Sequence, residues 1–153
     1  GSAYLAGVDG EAAAVARAAA GVPYPVLTAT AALAAQFARL NARRIVVVAP
    51  YPDWLVAAAR AYWTARGLTV LATHAIATAG PGGDRGIYAL TSADALAAIQ
   101  RLGAVSADAV LISGTGLATL PVLAAARASA GVPVLTSNVA LAEEAVAAVR
   151  ARA

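Results

Sequence analysis

The chain has 153 residues, 61% of them hydrophobic with alanine prominent, and a formal charge of +3 in which every basic residue is an arginine. Zero cysteines exclude disulfides, thiolate metal sites and cysteine nucleophiles, and one histidine, His74, excludes a multi-histidine metal centre. Such a length fits one domain or two small interlocked lobes.

Gly1-Ser2, with no initiating Met, reads as a vector remnant and is left out of the fold reading. Ala3 to Gly7 is expected as a strand and Glu11 to Ala20 as a helix closed by Gly21. Val26-Leu27-Thr28 is a short extended piece, and Thr30 is placed as the N-cap of a helix running to about Leu40. Arg44 to Ala49 is the clearest strand, because Ile45-Val46-Val47-Val48 is apolar on both faces, as a central parallel strand must be. A helix follows from Asp53 to Arg66, then a strand from Leu68 to Thr73. Ala77 to Ala89 holds Gly80-Pro81-Gly82-Gly83-Asp84-Arg85-Gly86, which is a long loop, either a lid or an insertion. Thr91 to Leu102 is a helix capped by Thr91 or Ser92, Asp108 to Ser113 a strand, Leu117 to Ala130 a helix, Val132 to Thr136 the last strand, and Ala140 onward the last helix. Alternation of this kind, with glycine at helix ends, predicts an α/β fold with parallel, doubly wound sheet packing.

The arginines are spread one to a helix, except for Arg43-Arg44, and form no stripe with interleaved aromatics, so no nucleic-acid surface is expected. From Ala109 to Ala142 the only charge is Arg127. That stretch is broken by Ser113-Gly114-Thr115-Gly116 and by Gly131-Val132-Pro133, which a bilayer-spanning helix would not tolerate. A soluble, cytoplasmic protein without membrane contact is the expectation. Gly21-Val22-Pro23 and Gly131-Val132-Pro133 both lead from an Ala-rich helix into an extended segment, either a trace of two equivalent lobes or a common helix-to-strand link.

In open parallel sheets ligands bind beyond the carboxyl ends of strands. Four such ends are candidates: Gly7-Val8-Asp9-Gly10, Ala49-Pro50-Tyr51-Pro52-Asp53, Ser113-Gly114-Thr115-Gly116 and Thr136-Ser137-Asn138. The third offers small side chains and backbone N–H groups at an expected helix start, either a tight turn or a seat for an anion. It is not a phosphate loop, since no Gly-Lys-Ser/Thr follows. Tyr51, set between prolines, can donate its hydroxyl to an anion or simply line the crevice. Asp9 is either an acid/base or the N-cap of the Glu11 helix. His74 reads as a core or edge residue, and Trp54, Tyr62 and Trp63 as helix packing.

Three segments carry a resemblance: Arg43-Arg44-Ile45-Val46-Val47-Val48-Ala49-Pro50-Tyr51, Asp108-Ala109-Val110-Leu111-Ile112-Ser113-Gly114-Thr115-Gly116-Leu117, and Gly131-Val132-Pro133-Val134-Leu135-Thr136-Ser137-Asn138. At compatible spacing they resemble the Thr-Pro-Tyr strand end, the Ser-Cys-Thr-Gly-Leu turn and the Gly-x-Pro-Val-x-x-Ser-Asn segment of the aspartate/glutamate racemase superfamily. The nearest branch is that of arylmalonate decarboxylases and maleate cis-trans isomerases. The resemblance implies a two-lobe fold with a small carboxylate held between the lobes, and one or two cysteines acting without a cofactor or metal. The second family cysteine falls on Gly114 and the first on Gly7, so both thiols are missing; Glu143 replaces the family tryptophan after Ser-Asn. Tyr51, Ser113, Thr115, Gly116, Ser137 and Asn138 are the substrate-binding candidates that the resemblance and the strand-end rule share.

Family members are longer by an N-terminal strand–helix region. Residues 3–42 with 131–153 are therefore expected as a truncated first lobe and 43–130 as a complete second lobe, with the exposed edge covered by a second copy or a complementing chain. Three functions remain open. One is decarboxylation, isomerisation or racemisation through an enediolate, with Asp9 as substitute proton carrier. Another is an inactive carboxylate-binding or scaffold domain. The last is one part of a larger assembly.

Overall fold

A computed structural model describes residues 2–76 and 89–152. Its elements in chain order are α1 (Ser2–Ala19), α2 (Ala29–Arg39), β1 (Arg44–Ala49), α3 (Asp53–Ala65), β2 (Thr69–Ala75), α4 (Ser92–Leu102), β3 (Ala109–Ile112), a 3₁₀ turn (Leu120–Val122), α5 (Leu123–Ala130), β4 (Val134–Thr136) and α6 (Ser137–Arg150). The four strands form one parallel sheet in the order β2-β1-β3-β4. β1 is a central strand, as its unbroken apolar run requires.

Strand periodicity divides the core. Ile45, Val47, Leu111 and Leu135 face one way and pack on Leu33, Phe37, Tyr62 and Trp63, beneath α1, α2, α3 and α6. Val46, Val48, Val110, Ile112 and Val134 face the other way and pack on Ala95, Ile99, Ala126 and Ala130 of α4 and α5. Side chains alternate across a strand, so a sheet covered on both faces needs this apolar set twice over. The doubly wound α/β architecture expected from the alternation is the one observed. No helix among the described residues is long and apolar enough to cross a membrane.

Four local expectations are corrected. The expected strand at residues 3–7 is the first turn of α1, which bends at Gly7 (φ 71°, ψ 178°) and continues to Ala19. Ala3-Tyr4-Leu5-Ala6 has no β-branched residue, so helix propensity decides. The cap of α2 is Thr28, whose Oγ1 accepts the Ala31 N–H at 3.0 Å; Thr30 lies inside the helix. The helix expected from Leu117 begins only at Leu123, because Pro121, lacking an N–H, sits in the 3₁₀ turn that precedes it. Finally, α6 starts at Ser137 rather than Ala140, capped by the Thr136 hydroxyl. The glycine-rich loop expected from Ala77 falls, up to residue 88, outside the described residues.

Two polar ties hold the layers in register. Asp108 Oδ2 accepts the backbone N–H groups of Arg43 and Arg44 at 2.7 Å each, joining the starts of β1 and β3. Those two donations hold the Asp108 carboxyl below the ordinary carboxylate range. Between α2 and α6, Gln36 Nε2 donates to Glu143 and Arg39 pairs with Glu144. Glu143 is therefore a partner of the buried Gln36.

Candidate functional site

Three of the four chain segments named as strand ends converge. Tyr51 lies two residues beyond β1, Ser113 directly follows β3, and Ser137 directly follows β4. Parallel pairing of β1 with β3 and of β3 with β4 brings these ends to one edge of the sheet. There a cleft of about 420 Å³ is lined by Tyr51, Ser113, Thr115 and Ser137 from the strand ends. Its far wall is α1, through Tyr4 and Glu11, and the start of α2, through Thr28 and Thr30.

The fourth segment does not take part as expected. Gly7 interrupts a helix rather than ending a strand, and neither it nor Asp9 is among the residues lining the cleft. Asp9 is exposed and sits within α1, so it is not a cap. His74 is exposed on β2. Tyr62 and Trp63 are buried packing residues, whereas Trp54 is 61% exposed.

The turn after β3 is arranged differently from a helix N-terminus. Gly114 adopts φ 132°, in the region that favours glycine, and its N–H donates to Ser137 Oγ at 3.2 Å. Asn138 Nδ2 donates to the carbonyls of Thr115 and Leu117 at 3.1 and 3.2 Å. Ser137 and Asn138 thus brace the turn, and Ser137 also lines the cleft. The N–H groups of Thr115 and Gly116 make no hydrogen bond among the described residues.

Two polar networks line the cleft. In the first, Ser113 Oγ lies 2.7 Å from Tyr4 Oη and 3.2 Å from Tyr51 Oη, and Trp63 Nε1 donates to Tyr4 Oη at 3.2 Å. Tyr4 sits edge-on to Tyr51, Tyr62 and Trp63, with ring centroids 5.3–6.2 Å apart. Burial drives the Tyr4 phenol far above the ordinary tyrosine value, its hydrogen bonds only partly opposing this. Burial also raises Tyr51, against a smaller lowering by Ser113. Both phenols are therefore protonated near neutral pH and available as donors.

The second network centres on Glu11, which is 5% exposed. Its carboxylate accepts from the hydroxyls of Thr30 and Tyr62 and pairs with Arg66 Nη2 at 3.0 Å. Burial pushes this carboxyl up, but donation from Thr28, Thr30, Tyr62 and Arg66 outweighs it and holds the group below its ordinary value. The Arg66 guanidinium also stacks over the Tyr62 ring, 5.3 Å from its centroid.

Tyr4 and Glu11 escape a reading of the opening segment as a strand. They lie on either side of the Gly7 break, and both reach the cleft lining. No group of three or more acidic or histidine side chains among the described residues is gathered as metal ligands would be.

Comparison with known proteins gives a consistent picture. The model of the arylmalonate decarboxylase family matches residues 2–153. No curated protein sequence matches the chain. A crystal structure of arylmalonate decarboxylase superposes with a TM-score of 0.79 at 22% identity, over 95% of this chain and 64% of the other. A Nocardia farcinica maleate cis-trans isomerase bound to TRIS gives 0.75 at 26% identity, over 92% of this chain and 56% of that one. A variant of the Nocardia isomerase with a covalently bound succinylcysteine intermediate gives 0.74 at 25%, over 87% and 54%. The chain thus spans between half and two thirds of the length of these structures.

Proposed function

Because the chain belongs to the arylmalonate decarboxylase family, within the Asp/Glu racemase-like superfamily, we propose that its cleft binds a small mono- or dicarboxylate without thiol chemistry. The observation that carries this reading is the meeting of Tyr51 and Ser113 at 3.2 Å in a cleft shared with Thr115 and Ser137. Neutral donors in a partly desolvated pocket suit an oxyanion, whether a ground-state carboxylate or an enediolate. The N–H groups of Thr115 and Gly116 extend that donor set. Gly114 and Gly7, at the family cysteine positions, offer no group that can carry a proton, and Asp9 is outside the lining. Binding without turnover is therefore favoured over decarboxylation, isomerisation or racemisation.

The test is calorimetry with phenylmalonate and maleate, followed by proton NMR of the same mixtures. Binding with Kd on the order of 1 mM or tighter, and no loss of carbon dioxide or isomerisation, is expected. Absence of binding to both ligands sinks the reading; turnover by the unaltered chain sinks its inactive part and favours the enzyme. Gly114→Cys is expected to gain turnover, since acid–base groups contribute about 10²–10⁴-fold. Cysteine at φ 132° is strained, so Gly114→Ala, strained alike but without a thiol, is the control. Equal rates in the two variants would count against an inherited site.

The same proposal includes the lobe division, with 3–42 and 131–153 against 43–130, and a second copy or complementing chain over the first lobe. A cytoplasmic location and the absence of any cofactor requirement belong to it as well.

A further inference from the structure

Tyr4, Ser113 and Tyr51 form a row of three hydroxyls with two contacts between them. Each contact uses one hydroxyl proton, so one proton is left over, and where it lies decides what the row presents to a ligand. The buried end settles this. Tyr4 is 6% exposed within a box of three other aromatic rings. Its oxygen has two polar neighbours among the described residues, Ser113 and the Trp63 indole. An indole N–H donates and never accepts. Of these two neighbours only Ser113 can accept the Tyr4 proton, and a buried hydroxyl proton left unpaired is unfavourable.

Ser113 is then already supplied with a proton and must release its own toward Tyr51 or the cleft. Either way the spare proton lies at the cleft end. We propose that Tyr4, backed by Trp63, sets the direction of this row so that the cleft presents a donor and selects a carboxylate over the corresponding carboxamide. Tyr4 is thus a positioning residue acting through Ser113 and Tyr51. The inference rests on the reading of the cleft as a carboxylate site and identifies what makes it anion-selective.

Calorimetry with phenylmalonate and phenylmalonamide tests it on the unaltered chain, Tyr4→Phe, Ser113→Ala and the double variant. Phenylalanine keeps the ring packing and removes only the hydroxyl. Without it, the Ser113 oxygen regains a free lone pair and can accept from an amide. Tyr4→Phe is expected to weaken phenylmalonate about tenfold, roughly 1.4 kcal/mol, and to leave phenylmalonamide within about twofold. In the Ser113→Ala background it should cost nothing more.

Equal weakening of both ligands, or the same loss with and without Ser113, would overturn the proposal, because a merely structural tyrosine behaves that way. If neither ligand binds the unaltered chain, the carboxylate site falls, and the row is read separately by NMR. The chain has two tryptophans, Trp54 exposed and Trp63 buried, hence two indole N–H signals. Ser113→Ala removes the acceptor of the Tyr4 proton and should move the Trp63 signal; an unmoved signal overturns the row itself.

Discussion

Glu11 is a buried carboxylate whose acceptor positions are taken by Thr30, Tyr62 and Arg66. Removing one partner of such a pair is costly because the other charge stays behind, and values of about 3–5 kcal/mol are typical. Arg66 keeps some water contact, its side chain being 28% exposed, so Glu11→Gln is expected to cost about 3 kcal/mol by urea unfolding. The pH dependence follows from the direction of the shift. The folded-state carboxyl titrates below the ordinary 4.5, so its contribution is whole above that value and drains away as pH falls through the lower, folded-state one. Stability profiles of the parent and Glu11→Gln should therefore converge in acid. A constant gap down to pH 2 would show that the carboxylate charge is not what stabilises the fold.

At the scale of elements, α1 shows how one misassigned segment hides a site. Gly7 combines φ 71° with ψ 178°, a pairing that is almost confined to glycine, and nothing lies within 4 Å of where a Cβ would stand. Gly7→Ala should therefore cost about 2 kcal/mol through the backbone alone, and straightening the bend would draw Tyr4 away from Ser113. Thermal unfolding combined with the Trp63 indole signal checks both effects; an unchanged midpoint would mean the bend is tolerated by any residue.

The elements that were legible in advance are those with a dense pattern. Ile45-Val46-Val47-Val48 and Val110-Leu111-Ile112 can only be buried strands between helices, and they placed Tyr51 and Ser113 at one sheet edge. The opening segment was illegible because alanine fits helix and core alike, and the bend at Gly7 that lies between Tyr4 and Glu11 is not a periodic signal. The engagement of Gly114 N–H by Ser137 was also beyond the sequence, since it depends on two strand ends meeting in space.

On the scale of the whole molecule, the sheet is covered on both faces, yet large apolar side chains remain outside it. Leu5, Tyr24, Leu27, Leu40, Val146 and Val149 are exposed in the segments assigned to the first lobe, and Trp54, Leu71 and Leu120 are exposed outside them. Isolated exposed side chains are ordinary, and the proposed covering chain would sit on the first six. Light scattering across a range of concentrations is expected to show a mass above the 15.0 kDa of one chain. A single, concentration-independent monomer would leave the covering chain without support.

The wall formed by α1 has one more consequence. It contributes no strand, so no ladder of main-chain bonds ties it to the sheet, and its fastening is the cluster around Glu11 with the rings around Tyr4. Elements held by side chains alone open locally at lower cost than paired strands. The bottom of the cleft and one of its sides therefore differ in durability.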